Sequence, residues 1–167
     1  MTDIINRVTE SGLISLDLAD YKPTQEIVGI DISEQLWQGL VLKEKDFRDW
    51  IKSNDWTFYE NKAVYIHCSA DAILPVWAYL LISSKLIDVA YLQLVGNEVD
   101  MQKVLFVKNV QKLDFSPYTG VRVVIKGCSD IPFPEFSMVE LVKCLQPIVK
   151  SLMFGEPCST VPIYKKK

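Results

Sequence analysis

Apolar side chains recur along this chain at two spacings, and the alternation of the two predicts its elements. Residues 63–67 and 121–126 are rich in β-branched and aromatic residues over the length of a strand, and 89–95 reads the same way. Before and after them, 43–54 places Phe47, Trp50 and Ile51 at helical spacing, and 137–154 sets Leu141, Cys144, Leu145, Ile148 and Leu152 along one side. Residues 98–112 also read as a helix, although the run from Val104 to Val107 fits a strand as well. The stretch 71–86 is apolar almost all round, so this helix is expected to be buried on several sides. Pro75 falls in its first turn, where amides have no partner to lose. Pro147 is expected to bend the last helix. The run 36–42 reads as a strand, 12–18 and 27–32 are compatible with strands, and 3–10 is a candidate for a short polar helix.

Strands alternating with helices of this length predict an α/β fold: a mostly parallel sheet with helices on both faces and right-handed crossovers. A chain of 167 residues is read as one domain, with N-terminal elements over 1–36 and an extended C-terminal arm over 155–167. No internal repeat or low-complexity stretch interrupts the pattern. In sheets of this kind ligands bind beyond the carboxyl ends of the strands, where the chain turns into the next helix.

Composition narrows the partners. The net charge of −3 comes from 18 basic and 21 acidic residues spread along the chain, so no basic stripe is present to neutralise a nucleic acid. The one cationic cluster, Lys165 to Lys167, reads as a solubilising tail. The longest apolar run, 72–82, contains Pro75 and is well short of the roughly 20 residues that cross a bilayer. With no charged start and unbroken apolar stretch at the N-terminus, the chain is read as cytoplasmic, and its four cysteines as reduced.

Two stretches carry the candidate chemistry. One runs Val64-Tyr65-Ile66-His67-Cys68-Ser69-Ala70-Asp71 toward Pro75; the other runs Val124-Ile125-Lys126-Gly127-Cys128-Ser129-Asp130 toward Pro132 and Pro134. Each is strand, cysteine, serine, acid, proline, helix. Both put a thiol at a strand's carboxyl end, and a serine or aspartate there could cap the following helix. A thiol beside the positive end of a helix dipole is favoured as thiolate, the form that attacks electrophiles and binds metals. A third pair, Cys158-Ser159, lies in the arm between Pro157 and Pro162, which limit its freedom. Brought to one rim, Cys68, Cys128 and Cys158 would suit zinc or an iron–sulfur cluster, with His67, Asp71, Asp130 or a non-protein group completing the ligands. The plainer alternative is that these cysteines are core residues, since free cysteine is among the most buried types; Cys144, on the apolar side of the last helix, reads that way. His67, the only histidine, should point to the opposite face from Cys68. Phosphate-cradling glycine loops and the Gly-x-Ser-x-Gly elbow do not occur, and the four tryptophans read as packing residues.

The segments His67-Cys68-Ser69-Ala70-Asp71-Ala72-Ile73, Val124-Ile125-Lys126-Gly127-Cys128 and Gly155-Glu156-Pro157-Cys158-Ser159-Thr160-Val161-Pro162 resemble a bacterial family of uncharacterised proteins, a domain of unknown function. The resemblance extends over nearly the whole chain and implies partners in iron–sulfur cluster assembly. Three functions follow as expectations. The first is a non-enzymatic accessory that binds a metal or carries sulfur through the three cysteines. The second is a thiol enzyme with Cys68 or Cys128 as nucleophile and Asp71 or Asp130 orienting it. The third is an interaction module without chemistry.

Overall fold

The computed structural model describes residues 12–126, 133–156 and 159–167. Along them run β1 (Leu13–Asp17), β2 (Ile27–Asp31), α1 (Glu44–Ser53), β3 (Ala63–His67), α2 (Val76–Leu86), β4 (Leu92–Val95), α3 (Glu98–Gln111), β5 (Arg122–Lys126), α4 (Pro134–Leu145), β6 (Ser151–Glu156) and β7 (Ser159–Lys165). The class is the expected one, α/β with mostly parallel strands, but the strands are divided between two sheets. One has the order β2-β3-β4, all parallel; the other has β1-β5-β6-β7, parallel except for the last pair. The proposed helix at 3–10 lies outside the described residues. No helix among those described is long and apolar enough to cross a membrane.

The chain divides into two compact units, Thr24–Gln102 and the combination of Met1–Pro23 with Lys103–Lys167. The first is a β-α-β-α-β run. Ile30, Val64 and Ile66, on one face of its sheet, meet Phe47 and Ile51 of α1 and Ala78, Ile82 and Leu86 of α2. The i, i+4 spacing of those helical residues places them on a single stripe. Acids in the first turn of α1 (Glu44, Asp46) and Lys52 in its last turn complement the helix dipole. In the second unit Leu16, Val123, Ile125 and Leu152 of the sheet meet Phe106 and Val110 of α3 and Leu141 and Leu145 of α4.

The two units are alike in the order of their elements. In each, a strand ending in aspartate, Leu13–Asp17 or Ile27–Asp31, pairs in parallel with a strand that runs into a Cys-Ser segment, followed by a proline-headed helix and a further parallel strand. The first unit interrupts the second in the chain, so no fixed period along the sequence reveals the likeness.

Four expected elements change. The helix predicted over 71–86 begins only at Val76, because Pro75, with ψ 140°, is its N-cap and disfavours helical backbone at the residue before it. It is buried on one stripe rather than several sides: Val76 and Leu80 are 71% and 63% exposed. The helix predicted to continue to 154 stops at Leu145, two residues before Pro147, and the apolar run beyond becomes β6, which gains ladder partners on both edges. The proposed C-terminal arm is consequently edge strand β7.

The fourth change is at 36–42, predicted as a strand. It is a reversal in which Trp37 and Val41 bridge each other, with Gln38 and Gly39 both at positive φ. Glycine occupies that region freely, whereas a glutamine at φ 53° is strained by about 1–2 kcal/mol. Gln38→Gly is therefore expected to raise stability by about 0.5–1 kcal/mol, after the added unfolded-state entropy is subtracted. An unchanged or lower melting temperature would contradict it.

Candidate functional site

The carboxyl ends of β2 and β3 are side by side, with Asp31 the register partner of His67. Asp31 closes β2 and opens a 3-10 turn, its Oδ1 accepting the Ser33 N–H at 2.9 Å. The same oxygen accepts the Ser69 N–H at 3.0 Å, and the Ser33 and Ser69 hydroxyls are 2.9 Å apart. One carboxylate thus fixes its own turn and pins the Cys-Ser loop that follows the neighbouring strand. Burial would push the Asp31 carboxyl up. Hydrogen bonds from the hydroxyls and backbone N–H groups of Ser69 and Ser33 outweigh that and hold it well below the usual carboxylate range.

Cys68 is the first residue beyond β3, as its position in the pattern predicts, and is half-buried. Its thiol donates to the Ala70 carbonyl at 3.4 Å. Because α2 starts at Val76, the thiol is not in the helix's first turn, and the expected proximity to the dipole loses its basis. Neither Ser69 nor Asp71 caps that helix, which has no side-chain cap; Ser69 is taken by Asp31 and Ser33 instead. Asp71 is exposed in the loop.

His67 packs on Tyr65, two residues earlier on the same face of β3, with ring centroids 5.3 Å apart. That face needs Gly29 on β2: a Cβ there would come within 2.7 Å of the Tyr65 ring. Among the described residues no three His, Cys, Asp or Glu side chains are grouped as a metal would require, so His67, Cys68 and Asp71 do not make a ligand set by themselves. Cys128, Asp130 and Cys158 lie outside the described residues. Cys144 packs against the core of its unit, where burial, reinforced by Glu140, pushes its thiol up. Trp50, Trp56 and Trp77 pack around the core of the first unit as expected, while Trp37 is about half exposed beneath the Lys43 ammonium.

At the carboxyl end of the second sheet, Asp17 is the register partner of Lys126, and Lys126 Nζ lies 2.9 Å from Glu156 Oε2. Asp17 repeats the Asp31 device, accepting the Ala19 N–H at 2.9 Å. The residues missed from sequence are therefore aspartates. The signal was present: an aspartate whose side chain takes the N–H two residues on occurs at Asp17, Asp31, Asp55 and Asp114, each followed by a large apolar residue and then alanine, serine or threonine.

Fold and site together define an α/β protein of mostly parallel strands that presents a thiol-bearing loop at the carboxyl ends of one sheet. The chain belongs to the family described as protein of unknown function (DUF2480), whose model matches residues 2–166. No match is found among curated proteins or solved structures.

Proposed function

We propose that this protein is a non-enzymatic, thiol-bearing accessory that binds a metal ion or carries sulfur through Cys68, Cys128 and Cys158, with partners in iron–sulfur cluster assembly. The observation that carries the reading is the position of Cys68: a half-buried thiol just past the central strand of a parallel sheet, on a loop tied down by Asp31 rather than packed into the core. Strand ends of this kind are where α/β sheets do their chemistry. In the chain Cys128 and Cys158 each follow by two residues a member of the Lys126–Glu156 ion pair, which ends adjacent parallel strands. Their thiols would bind zinc or iron as thiolates, and a sulfur carrier would use the same groups to hold persulfide sulfur.

Protein purified without oxygen is expected to contain zinc, iron or persulfide sulfur, lost in part on Cys68→Ser, as read by elemental analysis and intact mass. Iodoacetamide is expected to label Cys68 at least severalfold faster than Cys144, whose thiol is raised by burial. Metal-free, persulfide-free protein with Cys68 as inert as Cys144 would overturn the reading.

A further inference from the structure

The second unit contains a groove of about 320 Å³ at the end of its sheet where β5 and β6 begin. Arg122, Lys150, Lys165 and Lys166 line it, and no acidic residue does. All four are exposed, and among the described residues none forms an ion pair. The sequence separates Arg122 and Lys150 from the terminal lysines, which by themselves look like a tail. The sheet removes that separation: Arg122 is the register partner of Ser151, and Ser151 is the partner of Lys165. Directly paired residues point to the same face about 5 Å apart, so a hydroxyl stands between two cations in one row. The backbone beneath is fixed, since the Lys150 N–H donates to the Val121 carbonyl at 2.8 Å and the Lys166 N–H to the Lys150 carbonyl at 3.0 Å.

With 18 basic and 21 acidic residues in the chain, gathering four unpaired cations here leaves the remaining surface distinctly acidic. A polyanion would be attracted at this groove and repelled around it, whereas a small anion would be drawn in. Met153, Pro162 and Tyr164 form the groove's apolar wall, which a bare inorganic ion would leave unused. We propose that this groove binds a small phosphomonoester, its phosphoryl group held by Arg122, Lys150, Lys165 and Lys166 beside the Ser151 hydroxyl, and its apolar body laid against Met153 and Pro162.

The test is a titration of the full-length 15N-labelled protein with phenyl phosphate at low salt, followed by NMR. Amide shifts are expected to concentrate at Lys150, Ser151 and Lys166, with phenyl phosphate binding more tightly than inorganic phosphate. The double variant Lys150→Ala/Lys166→Ala should weaken binding about tenfold with an unchanged melting curve, and the corresponding double arginine variant should retain it. Lys85→Ala, on α2 and outside the groove, should leave the affinity unchanged. The proposal is overturned if shifts scatter over unrelated lysines, if the double alanine variant binds normally, if inorganic phosphate binds as tightly, or if a uridine oligonucleotide binds the same residues more tightly than phenyl phosphate.

Discussion

Phe47→Ala is expected to lower the unfolding free energy by about 3–5 kcal/mol, the usual range for deleting a fully buried phenylalanine. Phe47 is 1% exposed and supports more than its own contacts. Its ring is 5.2 Å from that of Trp50 and 5.8 Å from that of Trp77, so α1 and α2 meet through it. Trp50 in turn packs on Trp56 at 5.6 Å, and Trp56 donates its indole N–H to the Ile51 carbonyl. Removing the phenyl ring opens a cavity with large, stiff aromatic walls that cannot close on it. Urea unfolding followed by tryptophan fluorescence measures the loss. A loss below about 1 kcal/mol would show that the aromatic cluster does not bind the two helices together. Phe58→Ala is the comparison: that side chain is 55% exposed, and its removal should cost much less.

Asp31→Ala is expected to cost about 2 kcal/mol, because it removes one acceptor of two backbone N–H groups and frees the loop that bears Cys68. Asp31→Asn should cost less, since an amide oxygen can still accept both bonds without the charge. The pH dependence gives an independent signature. A carboxyl held below the usual range in the folded state binds its proton more readily once the chain unfolds. Its contribution is therefore complete above about pH 4 and is lost as pH falls from there. Melting temperatures of the parent should decline on the acid side more steeply than those of Asp31→Ala, and parallel declines would mean that Asp31 is not held in its charged form. Faster alkylation of Cys68 in Asp31→Ala would connect the aspartate that ties down its loop to the reactivity of the proposed thiol site.

Part of that site could be read in advance. Cys68 is where a strand of alternating β-branched and aromatic residues must end, and the following proline announced a helix. The length of the loop between them could not be read, because Pro75 is compatible with either the first turn of a helix or its cap, and only the backbone at Pro75 and the residue before it decides which. Asp31 was overlooked because the run that contains it gives only a local turn signal. Its second bond, to Ser69, joins residues 38 apart and exists only because β2 and β3 are neighbours.

What the amino-acid sequence determined by itself was local: strands at 63–67 and near 121–126, the helical spacing of Phe47 and Ile51, and an α/β alternation that leaves parallel strands as the consistent solution. These follow from side-chain period and backbone sterics, which act over a few residues. The tertiary structure decided that β1 pairs with β5 across more than 100 residues, that the run after Pro147 is a central strand rather than more helix, and that Arg122 and Lys150 join the terminal lysines in one groove. An apolar run of six residues is equally suited to a helix face or a buried strand, and a lysine's partners are set by whichever strand lies beside it. Pairing is selected by the burial and backbone hydrogen bonds of the whole assembly, which no short stretch of the chain contains.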